Sequence, residues 1–315
     1  MRSLIVGQTG SGRGAAPGAF LMPFSVLDEG GKGNSFGLAE AILRATDQGC
    51  RVINMSLGSD GDSPVVRDAV AYALAHNVVL VAAAGNDAVN RVSYPAAYDG
   101  VVAVASVDAA GNHLYFSNRG ASVDVAAPGF SVVADWPGGK NVVVSGTSAS
   151  TALVTGAMGA LLSKEPGLTA GQAAGFLASY ADDTGMPGRD DETGGGMINL
   201  QRILERNQRG IVDVAVAGVT IKEEGQVGRI TVGIQNRGTE TANSPVLEIM
   251  VGRERRKFYL RSLEPGQSAA ESVTFDLLRA RQEGGINAGA AVNVRGDQRS
   301  GNDSWTGYFR IPKEK

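Results

Sequence analysis

The sequence is poor in several residue types that common functions require. It has one cysteine, Cys50, among 315 residues, which excludes an internal disulfide and a cysteine-based metal site. Histidine occurs only twice and aromatic residues make up 6% of the chain. Acidic and basic residues nearly balance, at a net charge of -3, so no electrostatic attraction to nucleic acid is expected.

Long apolar runs are also missing. None approaches the roughly 18 to 20 residues that a helix needs to span a bilayer. The apolar block at residues 1–7 is too short for a signal peptide. We therefore predict no membrane span and find no targeting segment within these residues.

The first two thirds of the chain alternate between apolar runs and helical patterns. Strand-like runs lie at 19–27, 52–55, 78–83, 101–107 and 123–126, and helical spacing at 35–47, 63–75, 148–162, 169–180 and 200–208. Strands that are apolar throughout and alternate with helices predict a doubly wound, mostly parallel α/β sheet. Ligands bind beyond the carboxyl ends of such strands, where Gly58, Asn86 and Ser148 fall.

From Ile211 the apolar residues repeat at every second position instead. About seven short strands in roughly 105 residues are typical of an immunoglobulin-type β-sandwich. Residues 234–238 and 296–303 also resemble adhesion-type sandwiches appended to bacterial secreted enzymes. We therefore predict two domains, residues 1–210 and 211–315, the second all-β.

Ser148 stands at the predicted start of a helix of small residues, directly after Gly146-Thr147. Free backbone N–H groups and the positive end of the helix dipole would there meet any negative charge that develops nearby. A nucleophilic serine would gain from that position. The alternative is a purely structural serine that caps the helix.

Three segments in order resemble the subtilisin-like serine peptidases. Gly146-Thr147-Ser148, followed by small residues to Gly156, resembles the nucleophile segment, although Ser150 and Ala152 replace the family's alanine and proline there. Residues 81–86 resemble the segment of the oxyanion asparagine, and residues 52–58 resemble the substrate-binding strand. The resemblance covers about residues 1 to 205.

This resemblance implies a serine endopeptidase in which Ser148 is the nucleophile and the Asn86 amide stabilises the oxyanion. It also implies that an extended peptide substrate lies between two short segments, with small residues walling the primary pocket. These substrate-binding residues are Gly31, Lys32, Gly33, Ser56, Leu57, Gly58, Ala83, Ala84 and Gly85.

The acid and base of the family's triad have no counterpart in these residues. Neither His76 nor His113 lies at the position of the family's His-Gly-Thr segment. Aligning Gly7 with the last glycine of that segment places the histidine about four residues before Met1 by the family's spacing. We expect Asp and His upstream of Met1, with the chain inactive alone; a truncated, catalytically dead relative is the competing explanation.

The two explanations, an active peptidase and a dead scaffold, predict different partners. A peptidase acts on polypeptides, here outside the cell or in the periplasm by family resemblance, whereas a dead scaffold would use the β-sandwich to bind a protein or glycan surface. No cofactor is expected, and calcium is considered only for the acidic loop 182–192, where acids also suit solvated turns. An in-frame His-Gly-Thr upstream of Met1 would distinguish the two.

Overall fold

The computed structural model describes residues 1–7, 14–136 and 138–312. The chain divides into two compact units, described separately below. The first comprises Met1–Ala181 and Asp190–Ile203, and the second comprises Asp182–Arg189 and Leu204–Lys315.

The first unit is an α/β fold built on a parallel sheet. Its helices are α1 (Arg2–Val6), α2 (Ser35–Asp47), α3 (Pro64–Ala75), α4 (Thr147–Lys164), α5 (Ala170–Ser179) and, reaching the unit boundary, α6 (Leu200–Glu205). Its strands are β1 (Val52–Met55), β2 (Val79–Ala83), β3 (Val101–Val107), β4 (Val125–Pro128), β5 (Val132–Trp136) and β6 (Lys140–Val144). The first four strands form the sheet in the order β1-β2-β3-β4, all parallel.

Both faces of this sheet are covered. Buried residues of α2 and α3 form one cluster with alternate strand residues such as Leu80, Ala82 and Ala103. Successive residues of a strand face opposite sides of the sheet, so Val81 and Val104 lie on the other face. Both are also fully buried. Helix α4 contacts all four strands, so it covers that second face and holds its own first turn at the carboxyl edge of the sheet.

Local sequence accounts for several helix boundaries. Thr169 caps α5: its side chain accepts from Gln172 N, and the Gln172 side chain accepts from Thr169 N. Ser35 has a side chain suited to capping α2, but it is the first residue of the helix and not its cap. Asn34 is the cap, because its side-chain oxygen accepts the Gly37 N–H at 2.9 Å.

The predicted buried strand at residues 19–27 does not form. These residues are extended without strand pairing, and Phe20 is fully exposed. In the described part of the chain β1 pairs only with β2, so its other edge carries no strand. A groove of about 590 Å³ runs beside that edge, lined by residues of β1, α2, α4 and the segment 19–24.

A two-stranded antiparallel hairpin, β5–β6, precedes α4. Neither of its strands lies in one of the apolar runs that predicted β1 to β4. Of the helices that the described residues form, none combines the length and apolar character required to span a bilayer.

The second unit consists of two antiparallel sheets and one short helix. Its elements are β7 (Val214–Glu224), β8 (Val227–Asn236), β9 (Val246–Val251), β10 (Glu254–Tyr259), β11 (Ser268–Asp276), α7 (Leu277–Glu283), β12 (Gly285–Asn293) and β13 (Ser304–Arg310). The sheets run β10-β9-β12-β13 and β11-β8-β7. Inward residues of both, such as Ile234 and Ile249, share one core.

Leu277 continues the alternating apolar pattern of Val273 and Phe275, which favours a strand, but it begins α7 instead. Asp276 causes the switch, because its carboxylate accepts the Arg279 N–H at 3.0 Å and so caps a helix at that point.

Candidate active site

Ser148 lies in the first turn of α4, at the carboxyl edge of the parallel sheet. Gly146, with φ of 143°, makes the sharp entry into the helix that an L side chain rarely adopts. Ser148 is half-buried, and its Oγ donates to the Ser56 carbonyl oxygen at 3.2 Å. A carbonyl cannot take the serine proton at neutral pH, so this contact holds the hydroxyl without activating it.

Asn86 reaches the same helix turn from the loop after β2. Its Oδ1 accepts two hydrogen bonds from Thr147, from N at 2.8 Å and from Oγ1 at 3.1 Å. A backbone N–H can only donate, so the amide oxygen must face Thr147. The Asn86 NH₂ therefore does not face Thr147, and the residue is exposed.

Ser56 joins β1 to this turn. Ser56 Oγ donates to the Ser148 carbonyl at 2.9 Å and accepts from Asn54 Nδ2 at 3.0 Å. Asn54 Oδ1 also accepts from Thr155 Oγ1 at 2.9 Å, and Thr155 lies about two turns after Ser148 along α4. This chain of hydrogen bonds fixes the distance between the end of β1 and the first turn of α4.

A cleft of about 570 Å³ opens beside Ser56, although neither Ser148 nor Asn86 is among its lining residues. The six residues predicted to flank an extended substrate all line it, namely Gly31, Lys32, Gly33, Ser56, Leu57 and Gly58. A Cβ on Gly33 would collide with the Val26 carbonyl oxygen, so the backbone there is tightly packed. Ala83, Ala84 and Gly85 do not line this cleft; both alanines are buried and Gly85 is half-buried.

Comparison with known proteins agrees with this arrangement. A sequence model of the subtilase family matches residues 3–196. The chain belongs to the subtilase family. The resemblance predicted from its motifs is therefore confirmed, and its homologues are serine endopeptidases of the subtilisin type.

Individual relatives match the first unit. Subtilisin DY of Bacillus licheniformis is 39% identical over 192 residues, which are 60% of this chain and 69% of the relative. A thermostable alkaline protease of Halalkalibacterium halodurans is 36% identical, over 61% of this chain and only 52% of the relative. The solved structure of the self-cleaved protease domain of PatA is similar with a TM-score of 0.59 at 30% identity, covering 65% of this chain and 80% of that one.

Neither histidine of this subtilase contacts Ser148. His76 caps α3, its Nδ1 lies 2.8 Å from the Tyr72 carbonyl oxygen, and its ring stacks on Tyr72. His113 lies in the turn after β3, where its Nε2 is buried and has no hydrogen-bond partner within the described residues. Burial lowers the pKa of His113, which favours the neutral ring.

The acids of the loop 182–192 bond to protein groups. In the second unit, Asp182 pairs with Arg237 at 3.4 Å. In the first unit, Asp190 Oδ1 accepts the N–H groups of Glu192 at 2.9 Å and Thr193 at 2.8 Å. Across the described ranges, no group of three or more His, Cys, Asp or Glu side chains is placed to hold a metal ion.

Sequence reasoning missed the role of Thr147. The motif Gly146-Thr147-Ser148 drew attention to the serine, whereas the structure shows that Thr147 orients the amide of Asn86. The signal was present in the sequence, because a residue next to a nucleophile at a helix start has a free N–H to offer.

Proposed function

We propose that this subtilase is a serine endopeptidase in which Ser148 and Asn86 act on one peptide carbonyl. The observation that carries the proposal is the pair of hydrogen bonds from Thr147 to Asn86 Oδ1, at 2.8 and 3.1 Å. They hold the asparagine amide against Thr147, the residue directly before Ser148, and leave its NH₂ free of that contact. The scaffold alternative is not favoured, because the homologues are peptidases.

The reaction follows from these positions. Ser148 Oγ forms a bond to the carbonyl carbon and passes its proton to a base, and the carbonyl oxygen becomes an oxyanion. The Asn86 NH₂ and the Ser148 N–H, in the first turn of α4, donate to that oxygen. Collapse breaks the C–N bond as the protonated amine leaves, and water then hydrolyses the acyl-enzyme.

The base and its acid partner come, in this proposal, from polypeptide N-terminal to Met1. Support comes from the contacts of both histidines, which engage Tyr72 and the turn after β3 rather than Ser148. Without a base Ser148 keeps its proton, so residues 1–315 alone would have negligible peptidase activity.

The substrate binds as an extended strand in the cleft between residues 31–33 and 56–58. Glycines at the cleft let a peptide backbone approach closely. Ala83, Ala84 and Gly85, which do not line this cleft, are assigned to the wall of a primary pocket outside it, where their small size would leave volume for a largish apolar side chain. Polypeptides are therefore the substrates, with no role for nucleic acid.

For the second unit we propose an immunoglobulin-type sandwich that attaches the enzyme to a protein or glycan surface. The shared core of its two antiparallel sheets supports this proposal. The attachment role rests on analogy with other appended sandwiches. Such an enzyme works outside the cell or in the periplasm.

Peptidase activity is tested in an extended protein, defined as this chain preceded by the family's Asp and His-Gly-Thr segments. Ser148→Ala should lower kcat by about 10⁶-fold, because the nucleophile is lost. Ser145→Ala, three residues earlier, is the matched control. The Ser145 Oγ only accepts the Ser131 N–H, so the activity of this variant should equal that of the parent. Activity that survives Ser148→Ala would refute the proposal.

A further inference from the structure

The loop that carries Asn86 has no regular structure of its own. It follows β2 and begins at Gly85, whose φ of 114° favours glycine. Asn86 and the residues after it are exposed. An oxyanion donor is effective only when its direction is fixed before the reaction, so something beyond the loop must hold it.

The segment 116–119, which follows the turn after β3, forms a backing for this loop. Ala88 N donates to the Phe116 carbonyl at 3.0 Å, and Arg119 N donates to the Val89 carbonyl at 3.1 Å. Between these two bonds, Asn118 N donates to the Gly85 carbonyl at 3.0 Å. The loop is therefore attached to a neighbouring segment along its length.

The side chain of Asn118 completes this attachment. It is fully buried, at 0% exposure. Its Oδ1 accepts from Asp87 N at 2.9 Å and from Val89 N at 3.4 Å, and its Nδ2 donates to Ser93 Oγ at 3.3 Å. Asn118 thus bonds to the residue before Asn86 through its backbone and to the residue after Asn86 through its side chain.

Only an amide suits this position chemically. The N–H groups of Asp87 and Val89 need a hydrogen-bond acceptor, whereas Ser93 Oγ accepts a hydrogen bond from a donor. A neutral amide supplies both the acceptor and the donor. Aspartate would lose the donor and bury a charge. Gly85 packs so closely on the Asn118 amide that a Cβ there would overlap Nδ2, so only glycine fits at this position of the loop.

We propose that Asn118 is a positioning residue for catalysis, which acts by fixing the Asn86 loop. The inference rests on the proposed function, because the positioning matters only if Asn86 is the oxyanion donor. Asn118 does not touch the reacting atoms. Its effect must therefore pass through Asn86, and this makes the inference testable.

The test is a double-mutant cycle in the extended protein, with kcat and KM measured for a peptide substrate. Asn118→Ala should lower kcat by roughly 10- to 100-fold, because a displaced catalytic group loses that much, with little change in KM. Asn86→Ala should lower kcat by about 10²- to 10³-fold, the effect known for one oxyanion donor in subtilisin. Adding Asn118→Ala to Asn86→Ala should cause no further loss.

Two further variants sharpen the result. Asn112→Ala is the matched control, because Asn112 makes its side-chain bond within an exposed turn, to Asp108, and its kcat should match the parent. Ser93→Ala removes only the acceptor of Asn118 Nδ2 and should lower kcat about fivefold, the factor of one ordinary hydrogen bond. If Asn118→Ala fails to fold, Ser93→Ala replaces it in the cycle. Its kcat is then measured as a single variant and in combination with Asn86→Ala.

The outcomes separate the two claims. An active parent whose Asn118→Ala variant keeps the parent kcat overturns the positioning role and leaves the peptidase proposal standing. Losses that multiply in the double variant also overturn it, because a general structural defect would act equally with or without Asn86. A parent with no Ser148-dependent activity refutes the proposed function, and the inference falls with it.

Discussion

The ring of His113 makes the stability of the first unit depend on pH. Burial lowers its pKa, and Arg119 adds to the effect while Glu192 and Asp190 oppose it. Between the lowered folded-state pKa and the ordinary value of about 6.5, the unfolded chain binds more protons than the folded one. The contribution of His113 to the free energy of unfolding is therefore complete above about pH 6.5 and is lost as the pH falls below that value.

We expect the free energy of unfolding of the extended protein to decrease from about pH 7.5 to 5.5. The part due to His113 is at most about 1.4 kcal/mol per pH unit. Urea unfolding of His113→Gln should show a shallower slope over this range. His76→Gln, altered at an exposed ring, is the control and should keep the parent slope. Equal slopes for His113→Gln and the parent would assign the pH dependence to other groups.

At the scale of single elements, the second unit contains an ion pair that links its start to a loop near its end. Glu205, the last residue of α6, accepts from Arg299 Nη2 at 2.5 Å. Arg299 also contacts Asp213 at 3.4 Å, a carboxylate that is only 1% exposed. Burial raises the pKa of Asp213 and Arg299 opposes that rise, so the position of Arg299 matters for a buried charge.

A fragment of residues 204–315 should therefore unfold at a higher temperature than residues 211–315. Both should unfold cooperatively, because the core lies within the two sheets. The shorter fragment loses Glu205 and leaves Arg299 less restrained beside Asp213. Glu205→Gln in the longer fragment should lower its Tm toward that of the shorter one, whereas an unchanged Tm would mean that other residues of 204–210 provide the stabilisation.

Prediction from sequence succeeded where an element depends on its own residues. Helix α4 with the turn before it, helix α5 and the parallel strands β1 to β4 were all predicted from local pattern. It failed where an element depends on a partner. Residues 19–27 have a strand's composition, but no neighbouring strand pairs with them in the described residues, and apolar pattern alone cannot reveal that.

The same distinction applies to the candidate site. The motifs led directly to Ser148 and Asn86, and the structure brings both to one turn. Thr147 and Asn118 were not predicted to act there. They contact Asn86 and Asp87 through hydrogen bonds that join residues 61 and 31 positions apart in the chain. Such long-range hydrogen bonds leave no periodic signal in a single sequence.

At the scale of the whole molecule, one edge of β1 pairs with no strand among the described residues. Unpaired strand edges favour aggregation, and the groove beside this edge is lined with apolar residues such as Ile53, Leu38 and Leu162. This edge is therefore the part of the first unit at which aggregation is expected to begin.

The most direct measurement is covalent labelling of the extended protein with a fluorophosphonate, followed by peptide mapping. Attack by Ser148 Oγ forms an O–P bond and releases fluoride, so the reagent marks a serine that a base has activated. We predict one phosphonyl group, on Ser148, with labelling reduced strongly in residues 1–315 alone. An extended protein that hydrolyses peptides but carries the label elsewhere, or none, would contradict the assignment of Ser148 as the nucleophile.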